Sequence, residues 1–77
     1  MLKELIHAIA VELVDHPDQV EVNEIASEHN TVIELRVAKG DIGKVIGKEG
    51  RTAQSMRTIL TAASTKIGRR AHLDIVD

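Results

Sequence analysis

The sequence predicts an α+β sandwich in which three helices cover one face of a three-stranded mixed sheet. Two observations lead to this prediction: apolar residues recur at helical spacing in three stretches, and they alternate with polar residues in three others. Along the chain the order is helix, strand, strand, helix, turn, helix, strand. A short polar link predicts an antiparallel hairpin for the first two strands, and the helical layer before the last strand predicts a parallel crossover. Because no linker is long enough to separate units, we expect one domain over residues 1–77.

The first half of the chain predicts a helix followed by a hairpin. Residues 2–14 are expected to form an amphipathic helix, because their apolar positions lie three or four apart: Leu2, Leu5, Ile6, Ile9 and Leu13. Pro17 stops that helix, since proline lacks an amide proton and disfavours helical geometry in the residue before it. Alternation then predicts strands over residues 19–27 and 31–38, joined by a polar turn at 28–30.

The second half predicts two helices around a glycine turn. Asp41 is expected to cap a short helix over residues 42–46. Gly43 lies inside that helix at a cost of about 1 kcal/mol relative to alanine, and such a glycine often marks a close approach to the backbone. A longer helix follows the turn, because its apolar residues keep the three-four spacing: Ala53, Met56, Leu60, Ala63 and Ile67.

The long helix is expected to end at a glycine and to lead into a closing strand. Gly68 is the expected C-cap, with Lys66 and Arg69 complementing the negative end of the helix dipole. Residues 71–76 alternate and predict the last strand. The core is expected to be aliphatic, since the chain contains no Phe, Tyr or Trp.

Charge is distributed unevenly along the chain. Residues 1–38 carry two basic and eight acidic residues, a net charge of −6, whereas residues 39–70 carry eight basic and two acidic residues, a net charge of +6. The total for the chain is −2. A basic segment in an otherwise acidic chain favours a local anion site, although solvated lysine and arginine side chains on helix faces are the common alternative.

Composition also limits the class of protein. Without cysteine the chain has no disulfide, thiolate metal site or thiol nucleophile, which fits a reducing compartment. No apolar run approaches the length of a membrane span, and the chain starts with a charged amphipathic pattern rather than a signal peptide. We therefore expect a soluble cytoplasmic protein.

The turn Gly47-Lys48-Glu49-Gly50 joins the two predicted helices at the centre of the basic segment. Glycine there tolerates left-handed geometry and has no side chain to keep a sugar-phosphate backbone away. The second helix begins at Gly50, and its free amide protons and positive dipole end can hold a phosphate oxygen. Lys48 and Arg51 add charge at the turn, and Lys44 and Arg57 flank it. Two glycines at a corner between helices are nevertheless, by themselves, weak evidence for nucleic-acid binding.

Several stretches of the chain together resemble one family of proteins. Val45-Ile46-Gly47-Lys48-Glu49-Gly50 is similar to the VIGxxG core of KH domains, whose GxxG loop clamps about four nucleotides of backbone. The helix and strand before that core resemble the type II arrangement. Nearly the whole chain resembles the bacterial KhpA family of small stand-alone KH-domain RNA-binding proteins, through segments 14–18, 34–38, 43–53 and 73–77.

The resemblance implies RNA binding, a role as RNA chaperone, and partnership with a larger KH-containing protein, KhpB, also called Jag or EloR. It further implies post-transcriptional control linked to cell length and peptidoglycan homeostasis. The loop would consist of Gly47 to Gly50, and the groove walls would be the closing strand and three residues of the short helix: Ile42, Val45 and Ile46. Glu49 is an unusual neighbour for phosphate. Lacking aromatic residues for base stacking, the chain is expected to bind with modest affinity and strong salt dependence.

Other functions find little support in the residues. The four histidines (His7, His16, His29 and His72) show no metal-ligand spacing, so no metal or cofactor is expected. Gly47-Lys48 lacks the earlier glycine and the following Ser or Thr of a P-loop. No serine has a histidine or lysine at a spacing that suggests activation, so the chain is not expected to be an enzyme.

The alternative to RNA binding is a dimerisation or adaptor module in which the glycine loop keeps its shape but contacts protein. Ile59 lies off the apolar stripe of the long helix and could contact another subunit, in a homodimer or a heterodimer. Both functions can hold together, because two joined KH domains would gain avidity for RNA.

Overall fold

The structure is a computed structural model that describes residues 1–76. It contains three α-helices and three strands in this part of the chain: α1 (Leu2–Leu13), β1 (Glu21–Ala26), β2 (Asn30–Arg36), α2 (Ile42–Ile46), α3 (Arg51–Lys66) and β3 (Arg70–Val76). Single 3-10 turns lie at Pro17–Gln19, Lys39–Asp41 and Lys48–Gly50. The predicted order of elements is confirmed, and α2 has the bounds that its sequence pattern predicts.

The three strands form a mixed sheet in the order β1-β2-β3. β2 is central, antiparallel to β1 and parallel to β3, with Ile33 opposite both Glu24 and Leu73. The α+β architecture with a three-stranded mixed sheet and three helices is thus confirmed. β1 starts two residues later than predicted, because Pro17–Gln19 coil into a 3-10 turn in front of it.

An aliphatic core joins the helical layer to one face of the sheet. The side chains that are almost fully buried come from every layer: Ile6, Ile33, Leu35, Val45, Met56 and Leu60. β2 alternates buried and partly exposed positions, as expected for a central strand with one covered face. The two helices on either side of the glycine turn are therefore fixed through Val45 in α2 and Met56 in α3.

The end of α3 confirms the predicted glycine and the predicted place of Lys66 in the last turn, whereas the prediction for Arg69 is wrong. Gly68 has φ of +72°, and the Gly68 and Arg69 amides donate to the carbonyl oxygens of Thr65 and Ser64, at 3.1 and 2.9 Å. This is a Schellman motif, with Gly68 one residue beyond the cap. The guanidinium of Arg69 donates instead to the Ser27 carbonyl and the Thr31 hydroxyl, so Arg69 fastens the hairpin rather than complementing the dipole.

The prediction that Asp41 caps α2 is wrong. Asp41 stands before α2, but its side chain makes no capping hydrogen bond to that helix. The carboxylate is buried and accepts hydrogen bonds from the backbone amides of Asp15 and His16, at 3.3 and 3.0 Å. The sequence pattern around Asp41 could not show this, since the partners lie 25 and 26 residues away.

Candidate nucleic-acid interface

The turn between α2 and α3 has an unusual backbone. Gly47 has φ of 77° and ψ of 174°, Glu49 has φ of 57°, and Gly50 has φ of 74°. Three of the four residues in the predicted loop therefore have a positive φ. Gly47 and Gly50 are linked by a hydrogen bond of 3.1 Å from the Gly50 amide to the Gly47 carbonyl, which closes a tight turn.

Gly47 is required both by its conformation and by its neighbour. Its combination of φ and ψ lies in a region that is essentially confined to glycine. A Cβ atom at this position would overlap the side chain of Thr52, lying 2.6 Å from the Thr52 Cβ and 2.9 Å from the Thr52 backbone nitrogen. The first glycine of the loop is thus a packing requirement between the turn and the first turn of α3.

Gly50 differs from Gly47, because a Cβ atom there would meet nothing within 4 Å. Its left-handed conformation favours glycine, and the space beside it is open. Glu49 is the one non-glycine residue with positive φ within residues 1–76. Left-handed geometry costs a side-chain-bearing residue roughly 1–2 kcal/mol, so the conformation of Glu49 lowers the free energy of unfolding.

The amino end of α3 follows directly on the turn. Within the described chain no side chain caps this helix, which starts at Arg51 with Gly50 as its N-cap residue. The first amide protons of a helix have no partner inside it, and the dipole gives this end a positive potential. The Gly50 and Arg51 amides already donate to the Gly47 and Lys48 carbonyl oxygens of the turn, so the amides available to an anion are those that follow Arg51. The open space at Gly50 and the uncapped helix end together form a surface on which an anion can lie close to the backbone.

Basic side chains surround this surface. Lys48 is exposed, and no carboxylate of residues 1–76 lies within ion-pair distance of it. Arg51 Nη2 lies 3.6 Å from Glu49 Oε2, with side chains 81% and 69% exposed. Such an exposed pair contributes little free energy, so Arg51 can exchange Glu49 for a phosphate. Lys44 Nζ lies 3.5 Å from Asp15 Oδ2 at the edge of α2.

The three residues of α2 that the resemblance implies as groove walls have different environments. Ile46 is 38% exposed and Ile42 is partly exposed, so both have surface beside the turn. Val45 has no exposed surface. Its place in the three-four pattern turns the Val45 side chain into the core, and its contact with a ligand stays a prediction.

Arg57 lies on α3 beside the closing strand. Its guanidinium donates to the Leu73 carbonyl oxygen at 3.4 Å. A cleft of about 150 Å³ lies between α3 and β3, lined by Arg57, Leu60, Thr61, Ala71, His72 and Leu73. Six residues of helix separate Arg51 from Arg57, about 9 Å along the axis, and the cleft lies on the face of α3 that carries Arg57.

Two residues that position the site were missed in the sequence. Thr52 packs against Gly47, and Asp15 contacts both Lys44 and Asp41. Neither contact belongs to a motif, and both depend on how separate segments meet in space. Among residues 1–76 no three His, Asp or Glu side chains are placed to share a metal ion. No helix in that range is long and apolar enough to cross a membrane.

Fold and turn together define the class of this protein. A type II KH domain has this order of elements, with a GxxG turn between two helices and a mixed sheet behind them. The family model for the KH domain of KhpA and KhpB matches residues 3–75. The chain therefore belongs to the KhpA/KhpB KH-domain family.

Similar proteins occur in distant bacteria. The chain is 53% identical to the RNA-binding protein KhpA of Halalkalibacterium halodurans over 76 residues, covering 99% of this chain and 100% of the relative. It is 53% identical to RNA-binding protein KhpA of Aquifex aeolicus, covering 99% and 96%, and 45% identical to that of Clostridium acetobutylicum, covering 97% and 100%. These relatives are named for RNA binding and the family is non-enzymatic, so the chain is not an enzyme.

Proposed function

We propose that this chain binds single-stranded RNA and that Gly47 to Gly50 clamp the sugar-phosphate backbone. The observation that carries the proposal is the joint geometry of Gly50 and the uncapped amino end of α3, where the backbone is open and positively polarised. The relatives' names support RNA as the ligand. The GxxG loops of KH domains hold about four nucleotides.

The clamp grips backbone more than it distinguishes bases. With no Phe, Tyr or Trp in the sequence, bases cannot stack on these side chains as they do in many single-strand binders. If Lys44, Lys48 and Arg51 each neutralise one phosphate, the logarithm of the affinity falls with the logarithm of salt concentration with a slope of about −2. The Lys44–Asp15 and Arg51–Glu49 pairs are exposed enough to exchange for phosphate.

The RNA path continues from the turn into the cleft between α3 and β3. Ile46 and Ile42 offer apolar surface on one side of the turn, and Arg57 stands at the cleft beyond it. The Leu73 carbonyl already accepts a hydrogen bond from Arg57, so the edge of β3 presents polar backbone to the cleft. A base entering there meets Leu73, Ala71 and the imidazole of His72, rather than Phe, Tyr or Trp.

We also propose the cellular setting that the family resemblance implies. The chain acts in the cytoplasm as an RNA chaperone, with a larger KhpB-like KH protein as partner, in post-transcriptional control of cell length and peptidoglycan homeostasis. The family model shared by KhpA and KhpB supports the partnership. A second KH domain would add avidity to the small footprint of the first.

A second candidate function is that of a dimerisation or adaptor module. Ile59 favours it, since this large apolar side chain of α3 is 45% exposed and lines a shallow recess with Arg51, Gln54, Ser55 and Thr58. In that case the glycine loop contacts protein and RNA contact is incidental. The homodimer and the heterodimer both remain compatible with this surface.

A loop variant separates the two functions. Lys48→Asp/Glu49→Asp places two acids in the turn, and aspartate tolerates the left-handed conformation of Glu49 better than most residues. We expect fluorescence anisotropy with a labelled single-stranded RNA to show at least about a tenfold loss of affinity, since a contact to a charged phosphate becomes a repulsion. Unchanged circular dichroism would show that the fold is intact.

Two further variants serve as controls. Lys3→Asp/Glu4→Asp alters the same Lys-Glu dipeptide on the exposed side of α1 and is expected to leave RNA affinity unchanged. Ile59→Asp is expected to shift the oligomeric state in light scattering if the adaptor function holds. RNA binding that survives the loop variant but fails with Ile59→Asp would reject the clamp in favour of the adaptor.

A further inference from the structure

A buried carboxylate lies outside the RNA surface but next to it. The Asp41 side chain is 1% exposed and faces the connection between α1 and β1. Its Oδ1 accepts the Asp15 amide at 3.3 Å, and its Oδ2 accepts the His16 amide at 3.0 Å. His16 Nδ1 lies 3.1 Å from the same Oδ2 and donates to it in the tautomer that carries its proton there. Burying a carboxylate is costly unless its charge is paired or hydrogen-bonded, and these hydrogen bonds offset that cost for Asp41.

The helix that follows Asp41 cannot hold its own position. α2 has five residues, includes Gly43, and has no side-chain cap among the described residues. Helices this short are unstable in isolation, and most of their stability comes from tertiary contacts. The contacts that fix α2 to the rest of the fold include Val45 and Ile42 at the core and Asp41 on the α1–β1 connection.

The same connection also holds a basic side chain of α2. Asp15 donates its amide to Asp41 and places its carboxylate 3.5 Å from Lys44 Nζ. A single turn of backbone therefore holds the start of α2 and lies beside Lys44 on its outer face, in an exposed pair that phosphate can replace. Gly47 lies at the other end of this short helix, where its amide donates to the Gly43 carbonyl at 2.8 Å. Any rotation of α2 at Asp41 would move Lys44 and the turn together.

We propose that Asp41 is a positioning residue for the glycine turn, acting through the Asp15–His16 connection to hold α2, Lys44 and Gly47 in the geometry that receives phosphate. The proposal rests on the proposed RNA function for its ligand. It does not depend on Asp41 touching RNA, because the buried carboxylate has no surface to offer.

The test compares two variants with a core control. Asp41→Ala removes all the acceptors, and Asp41→Asn keeps one carbonyl oxygen. Ile33→Val weakens the core on the central strand, at a side chain with no exposed surface. All are measured where each is fully folded, by amide hydrogen exchange and by anisotropy with a labelled single-stranded RNA.

We expect Asp41→Ala to speed exchange at the Gly47 and Gly50 amides by about tenfold relative to the amides of β2, since hydrogen bonds to a charged group are lost. RNA affinity should fall by a similar factor, with Asp41→Asn intermediate. Ile33→Val should leave RNA affinity and the ratio of turn to β2 exchange unchanged.

Two results would overturn the positioning role: exchange at the turn that stays in step with β2, or RNA affinity unchanged in a folded Asp41→Ala protein. If that variant fails to fold, Asp41→Asn is judged by the same two measurements. Failure of the proposed RNA function can be told apart from failure of the positioning role. In that case the wild-type protein itself would show no RNA binding, while the hydrogen-exchange comparison would still report on the turn.

Discussion

Replacing Gly47 with alanine should damage the fold far more than replacing Gly50. The Gly47 backbone lies in a region that costs a residue with a side chain about 1–3 kcal/mol. Its new Cβ would also lie 2.6 Å from the Thr52 Cβ and 2.9 Å from the Thr52 nitrogen, and such overpacking adds about 1–3 kcal/mol. We therefore expect Gly47→Ala to lower the free energy of unfolding by about 3 kcal/mol or more.

Gly50→Ala tests whether steric contact or backbone conformation dominates the loss of stability when a loop glycine is replaced. A Cβ there meets nothing within 4 Å, so only its positive φ of 74° opposes the change. The expected loss is about 1–2 kcal/mol. Gly40→Ala is the matched control, because a Cβ at Gly40 also meets nothing within 4 Å and its φ lies in an ordinary region. It should leave the free energy of unfolding unchanged or raise it by up to about 1 kcal/mol.

Urea unfolding followed by circular dichroism measures the free energy of unfolding of all three variants. Thr52→Gly combined with Gly47→Ala should recover part of the loss, since it removes the side chain that the new Cβ meets. Equal losses for the two loop glycines, or a Gly47→Ala protein as stable as wild type, would refute the packing role assigned to Gly47.

Three further predictions concern the surroundings of the turn. Gly43→Ala should raise the free energy of unfolding by about 0.5–1 kcal/mol in urea. The same variant should bind RNA more weakly in anisotropy if the RNA backbone approaches α2 at Gly43. Unchanged affinity would show that the RNA lies elsewhere. Burial alone would raise the pKa of Asp41, but the hydrogen bonds from Asp15 and His16 outweigh it and hold that pKa below its ordinary value of 3.8. This stabilisation is therefore complete above pH 3.8 and lost as the pH falls below it. The difference in free energy of unfolding between wild type and Asp41→Asn, measured in urea, should shrink in acid. A difference that stays constant with pH would contradict this role of the Asp41 charge. Arg69→Ala should cost about 1–3 kcal/mol in urea by leaving buried Thr31 without its partner, whereas the exposed Lys66→Ala should change stability by less than about 0.5 kcal/mol.

Local periodicity was sufficient to predict the elements of the fold. Ile42, Val45 and Ile46 lie at helical spacing between two glycine-containing turns, so the bounds of α2 were correct. The alternation of Ile33 and Leu35 with charged neighbours placed β2 at the core. These patterns work because burial on one face repeats with the period of the element itself.

Contacts between distant segments could not be predicted in the same way. Asp41 is a good capping residue by type, but the Asp15 and His16 amides compete for its carboxylate from the far end of α1. Val45 belongs to a motif associated with RNA, yet the helix turns it wholly inward. Residue type and spacing give the candidates for a site, while the packing of α1 and α3 against α2 decides which of them face outward.

Titration of isotopically labelled protein with a short single-stranded RNA tests the central claim most directly, because each backbone amide reports its own contact in nuclear magnetic resonance. The clamp predicts that the largest shifts fall on Gly47 to Thr52, with smaller ones at Arg57 and along β3. Shifts confined to the exposed face around Ile59, or to the uncovered face of the sheet, would contradict the account.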